Sequence, residues 1–387
     1  MIGERATVSE NAIPSADAVM KLAVDRAGTS DFGPDGFREG LDRTLQGFAQ
    51  IALTAPAREQ AIGKIVLDLT NRLKIEQWYK EHPEIEDEKI EGPVLVCGLP
   101  RTGTTATVGM MATDPRYRFL RSWEAMESVP PPVAGEEESD PRVVAAREAA
   151  REHAKHQAQH IVDPDGPEED LVMLAPLNMH SYHGAYPMPD DYIDWWIDSD
   201  FASTYAYHRR VLKLLQSRRK PDLWLLKAPV HLFKLDAFAA EYPDAKYVWT
   251  HRDPAKVIPS VSSLQYRLNS ERTEQGALDK LGYGPKFVRF WKEGMDRALA
   301  ARERIGDHRF IDVWNDDVAS KPIETFESLY EKLGFEFTPE FGSGLEEYTR
   351  RNARGAHGEH RYTAEEYGTT CEAIRLAFAG YVDRFGL

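Results

Sequence analysis

Apolar residues recur at intervals of three and four from Gly36 to about Tyr79, through GFREGLDRTLQGFAQIAL and PAREQAIGKIVLDLTNRLKIEQWYK. That period predicts amphipathic helices. Ala55-Pro56 marks the break between two of them, because proline suits a first helical turn. Residues 1–30 are small and polar, and predict a partly irregular start. The acidic stretch EHPEIEDEKIEGP reads as a linker.

Beyond it the pattern changes. PVLVCG (93–98) is a short continuous apolar run, the mark of a strand buried on both faces. DLWLLKAP (222–229), AKYVWTHRDP (245–254) and RFIDVW (309–314) repeat the signal, and helical segments follow each strand. The alternation predicts an α/β fold: a parallel sheet flanked by helices, a three-layer sandwich of the P-loop nucleotide-binding type. The expected organisation is an N-terminal helical extension over 1–90 and an α/β domain over 91–387. A helical insertion is expected at about 130–220. It contains a charged helix (141–161) and an aromatic stretch, Tyr182 to Tyr207, with Asp190, Asp191, Asp194 and Asp198 interleaved. That stretch suits either core packing or the wall of an acceptor pocket.

Charge narrows the partners. The net charge of −15 repels polyanions, and with no local basic patch of useful length it argues against nucleic acid. Cys97 and Cys371 make no disulfide framework, so a reducing, cytoplasmic setting is expected. The N-terminus lacks the apolar stretch of a signal peptide, and no run approaches the ~20 apolar residues of a membrane span.

Chemistry enters at GLPRTGTT. Gly98 and Gly103 have the spacing of G-x-x-x-x-G-K-[ST], and Thr105 holds the Ser/Thr position. A strand precedes the loop and a helix follows, so backbone N–H groups and the helix dipole can hold an anion. Thr104 stands where a nucleoside-triphosphate enzyme has lysine. The cation is instead Arg101, inside the loop, with planar bidentate donors.

GLPRTGTT resembles the loop of sulfotransferases that use 3′-phosphoadenosine 5′-phosphosulfate (PAPS). The resemblance implies that Arg101, Thr102, Gly103, Thr104 and Thr105 hold the 5′-phosphosulfate. KYVWTHRDPAKVIPS is similar to the family's 3′-phosphate motif, an arginine after a strand and a serine eight residues on: Arg252 and Ser260. About two helical turns separate them, so both can close on one phosphate. RNARGAHGEHRY resembles the family's C-terminal basic loop, with Arg354, Gly355 and Gly358 as the matching residues. The branch implied is bacterial, related in motif to the tyrosylprotein enzymes. The three motifs do not cover the N-terminal helices, for which a dimer surface and a lid are both open, nor the aromatic stretch. Two other readings use the same loop: a kinase-like phosphotransferase, and a non-catalytic nucleotide-binding protein.

Sulfuryl transfer needs a base for the acceptor hydroxyl or amine and stabilisation of the transferring charge, with no metal required. In the family, a carboxylate base about twenty residues past the loop matches Glu124. A lysine in a K-x-P context matches Lys227, which would stabilise the transferring group. A histidine base follows that lysine in another branch, though closer than His231 does here. The sequence leaves Glu124 and His231 both open as the base. His153, His156 and His160 share a helix at metal-like spacing, but no cysteine or carboxylate pattern completes a site. His180 and His183 are candidates for acceptor contact. The acceptor itself, whether small molecule, lipid or glycan, is not encoded in any motif.

Overall fold

The computed structural model describes residues 12–156, 163–220, 223–352 and 362–387, without the side chains of 153–156. Five parallel strands form one sheet in the order β2-β3-β1-β4-β5. They are β1 (Val94–Gly98), β2 (Tyr117–Arg118), β3 (Leu223–Lys227), β4 (Lys246–His251) and β5 (Phe310–Trp314). The four longer strands lie where the apolar runs place them. β2 has two residues, too few for any periodicity to register.

Alternation along each strand divides the core into two layers. Leu95, Cys97, Trp224, Leu226, Tyr247 and Trp249 point into the larger one. Val94, Val96, Leu225, Val248, Ile311 and Val313 point into the smaller one, under the helices Pro322–Leu333 and Pro339–Arg351. The expected three-layer arrangement is therefore present. Helix Pro339–Arg351 rests on helix Thr104–Met111 at Gly109, where a β-carbon would run into the Tyr348 hydroxyl.

The larger layer also takes in the N-terminal helices Arg38–Gln50 and Ala55–Glu81, through Leu41, Phe48, Leu69 and Leu73. Thr54 caps the second helix and Pro56 lies in its first turn, as expected. In the described part of the first thirty residues, Ala16–Ala27 is a helix, capped by Ser15 and ended by Gly28 at φ 73°. Only Val19 and Ala23 of it are buried, so its apolar stripe is too thin to read. The segment expected as a linker is packed down, with Ile85 buried and Lys213 donating to the Glu86 carbonyl. A 23-residue helix, Tyr283–Ile305, covers the same layer with Phe287, Phe290, Trp291 and Met295. The pattern reading leaves it unassigned.

Aromatic residues of the insertion are mainly core. Tyr192, Trp196, Phe201, Tyr205 and Tyr207 are buried. His180 stacks on Trp195. His183 lies against Phe48, and desolvation pushes its imidazole down to about 3.

β1 stands between β3 and β4, so the chain reverses its direction of sheet growth there. In open α/β sheets that switch point opens a crevice at the carboxyl ends of the strands. Gly98 sits at this edge with φ 147°, and a β-carbon on it would lie 2.5 Å from the Thr250 carbonyl oxygen. Gly98→Ala is expected to destabilise the protein by roughly 1–3 kcal/mol through backbone strain. An unchanged urea midpoint would contradict this reading of the close approach.

Candidate active site

The carboxyl edge gathers residues from three adjacent strands. After β1 the loop turns through Arg101 at φ 66° and Gly103 at φ 90° into helix Thr104–Met111. A non-glycine residue in the left-handed region is uncommon and stores strain. No side chain caps this helix, so its first N–H groups point at the crevice. The Thr102 hydroxyl is turned inward. It lies 2.6 Å from the Leu99 carbonyl and 2.6 Å from the Thr250 hydroxyl, which ties the loop to β4. Its side chain is thus spent on loop shape. Thr104 is buried, and Thr105 is exposed at the start of the helix. Gly103 faces the Asn315 side-chain amide and has no room for a β-carbon.

The Gly98–Thr105 loop and the Arg252–Ser260 segment, about 150 residues apart in sequence, meet. Arg252 Nη1 donates to the Arg101 carbonyl at 2.9 Å. Arg101 Nε donates to the Ser260 hydroxyl at 3.2 Å. Ser260 is carried on helix Pro254–Ser270, which Asp253 caps. Arg252 Nε is buried and has no partner among the described residues. A buried, unpaired guanidinium donor is costly unless an anion meets it. Arg354, Gly355 and Gly358 lie outside the described residues.

Lys227 ends β3, in register with Val96 of β1. Its ammonium donates to Glu169 Oε1 at 3.1 Å, and the side chain is 4% exposed. Glu168 lies beside the same pair. Burial raises its carboxyl above the usual range, and the Lys227 charge pulls it partly back. The motif reading missed both carboxylates. Their only signal is the EED run before LVML, which looks like any acidic first turn of a helix.

Neither base candidate named from the motifs is open to an acceptor. Glu124 is fully buried on helix Ser122–Met126. Its Oε1 accepts from Arg118 at 2.8 Å and its Oε2 from the Arg121 backbone N–H at 3.1 Å. Arg118 in turn donates to the carbonyls of Leu215 and Arg219. His231 lies in a 3₁₀ turn, Pro229–Phe233, ahead of the helix Leu235–Glu241. That turn points the ring inward, and both its nitrogens are bonded, Nε2 to Asp170 at 2.9 Å and Nδ1 to Tyr205 at 2.8 Å. His180 and His183 belong to the core of the insertion. Among the described residues, no group of three or more His, Cys, Asp or Glu is arranged to hold a metal ion.

The family model for the sulfotransferase family matches residues 93–339, which span every strand and both phosphate motifs. The chain belongs to the sulfotransferase family. It is an enzyme that transfers a sulfuryl group. Sulfotransferase STF9 of Mycobacterium avium superimposes with a TM-score of 0.90 at 30% identity, covering 97% of this chain and 98% of that one. STF1 of Mycobacterium tuberculosis H37Rv gives 0.83 at 29%, covering 95% and 99%. The omega-hydroxy-beta-dihydromenaquinone-9 sulfotransferase Stf3 of Mycobacterium tuberculosis (strain CDC 1551 / Oshkosh) is 22% identical over 307 residues, 76% of this chain and 75% of that protein. The overlap with STF9 and STF1 extends over almost the whole chain, so the N-terminal helices are part of the shared architecture of this sulfotransferase. Among the described residues no helix is long and apolar enough to cross a membrane.

Breaking the Glu124–Arg118 pair strands a buried guanidinium. Glu124→Ala is therefore expected to cost this sulfotransferase about 3–5 kcal/mol of stability, while the folded fraction keeps its turnover. Lost turnover at unchanged stability would instead return Glu124 to the role of base.

Proposed function

We propose that this sulfotransferase takes its sulfuryl group from PAPS and moves it in line to a hydroxyl or amine of a small-molecule or lipid acceptor. The observation that carries the donor is the Arg252–Arg101–Ser260 chain of contacts, which gathers two guanidinium groups and a hydroxyl beside the N-terminus of helix Thr104–Met111. Backbone N–H groups of Gly103, Thr104 and Thr105, together with Arg101, would hold the 5′-phosphosulfate. Arg252 and Ser260 would hold the 3′-phosphate, and Arg354, Gly355 and Gly358 would close over it. The bound donor supplies an activated sulfuryl group, and the chain's part is to orient it and neutralise charge on the leaving oxygen.

Lys227 is the cation for the transferring group. Glu169 is the proton acceptor in this proposal, replacing Glu124 and His231. It is bonded to Lys227 and one-third exposed, so an acceptor can reach it. When Lys227 turns to the transferring group, Glu169 is released to take the acceptor's proton. The name of the Stf3 relative makes a hydroxylated quinone lipid the first acceptor to try.

The test is transfer of label from PAPS to such a lipid and to a panel of phenols and sterols. Lys227→Ala and Glu169→Gln are each expected to lower kcat by about 10²–10⁴-fold, with adenosine 3′,5′-bisphosphate still bound. Full activity in both variants would contradict the assignment. Transfer from Mg-ATP but never from PAPS would favour the kinase-like alternative.

A further inference from the structure

Behind Lys227 lies a sealed polar network that sulfuryl transfer does not directly use. Asp170 begins helix Asp170–Leu174, immediately after Glu169. Its Oδ2 lies 2.9 Å from Nε2 of His208 and 2.9 Å from Nε2 of His231. Its Oδ1 accepts the backbone N–H of Lys227 at 2.6 Å. Tyr242 meets His208 Nδ1 at 2.7 Å, and Tyr205 meets His231 Nδ1 at 2.8 Å. No member of the network is more than 1% exposed.

The directions of these bonds follow from the chemistry. Burial opposes the charge on Asp170, but His231 and His208 outweigh it and hold the carboxyl well below the usual range. An ionised carboxylate only accepts, so both histidines present Nε2–H to it. Burial keeps the Tyr205 and Tyr242 hydroxyls protonated, so each can donate to Nδ1. The carboxylate then has three N–H donors, and every ring nitrogen is satisfied. A buried charge without such partners would cost several kcal/mol. Three separate segments converge on this one carboxylate, the helix Ala202–Gln216, the end of β3 and the turn Pro229–Phe233, and Tyr242 joins through His208.

We propose that Asp170, His208 and His231 are positioning residues that lock the end of β3 to the Glu168–Glu169 segment, so that Lys227 and Glu169 meet the sulfuryl group and the acceptor in register. The inference rests on the roles proposed for Lys227 and Glu169. The network touches the backbone of one and is the chain neighbour of the other. Among the described residues its hydrogen bonds reach Lys227 but not Arg101, Arg252 or Ser260. It therefore separates the chemical step from nucleotide binding.

The experiment compares Asp170→Asn, His208→Gln and His208→Leu in the full-length enzyme, measuring kcat and the Kd of adenosine 3′,5′-bisphosphate. An Asn at 170 sets its NH2 against either the two Nε2–H donors or the Lys227 backbone N–H, so at least one of the three bonds is lost unless a histidine changes tautomer. A small displacement near the reacting groups can cost about 10²-fold, so Asp170→Asn is expected to lose about that much kcat with bisphosphate affinity unchanged. His208→Gln retains a donor for Asp170 and an acceptor for Tyr242 and should keep most of the turnover, whereas His208→Leu should not. Two slowly exchanging imidazole N–H protons should appear by NMR in the wild type and be altered in Asp170→Asn. Unchanged kcat in folded Asp170→Asn would overturn the proposal. So would equal losses of kcat and bisphosphate affinity, the sign of a general structural role. If Asp170→Asn does not fold, the two His208 variants decide, and equal turnover in both overturns it. Full activity in Lys227→Ala and Glu169→Gln would refute the underlying site assignment instead, whatever the network variants do.

Discussion

The register of β1 between β3 and β4 sets where the Gly98–Thr105 loop, Lys227 and Arg252 leave the sheet. Val96 pairs with Lys227 on one side, and Gly98 pairs with Thr250 on the other. Parallel strands in register end at one level, so the phosphate loop, the lysine and the 3′-phosphate motif start from the same edge. Gly98 permits the approach and the Thr102–Thr250 contact closes it. Shift β4 by one residue and Trp249 would exchange faces with Thr250, burying polar atoms where the larger layer is apolar. The apolar alternation of the strands thus holds the site in place.

Much of this was legible in the sequence because each part has a local cause. Continuous apolar runs bounded by turns gave four strands. The glycine spacing marked the loop, and the Arg252–Ser260 spacing marked the segment that meets it. Both were visible because phosphate recognition needs particular residues at particular offsets. Helix Tyr283–Ile305, the two-residue strand and the helix Ala16–Ala27 were not assigned. The first has an apolar stripe of Tyr283, Phe287, Phe290, Trp291, Met295 and Ala298 but follows no strand directly, and the others bury too few residues to make a pattern.

The missed residues in the candidate site fail for a different reason. Glu169, Asp170, His208 and Tyr205 meet only after the insertion folds against β3, and nothing local distinguishes them. Glu124 and His231 show the converse. Their offsets from the motifs suit a base, yet tertiary contacts use up every polar atom of each side chain. Sequence distance to a motif fixes where a residue sits along the chain, but which way its side chain faces depends on packing. His231, in the 3₁₀ turn Pro229–Phe233, is fully buried with both ring nitrogens bonded.

The site also keeps its cations in two classes. Arg118 is committed to the fold through an internal carboxylate and two carbonyls. Arg252 spends one donor on the loop and keeps Nε without a protein partner among the described residues. Arg118 also keeps a buried Nε without a partner, so what separates the two is the carboxylate: Arg118 is paired with Glu124, and Arg252 has no ion pair among the described residues. Isothermal titration of adenosine 3′,5′-bisphosphate into wild type and Arg252→Ala addresses it most directly. The wild type should bind without added metal. A hydrogen bond to a charged group is worth about 1.5–3 kcal/mol, so Arg252→Ala should weaken binding by roughly 10–150-fold. Equal affinity in the two proteins would contradict the account.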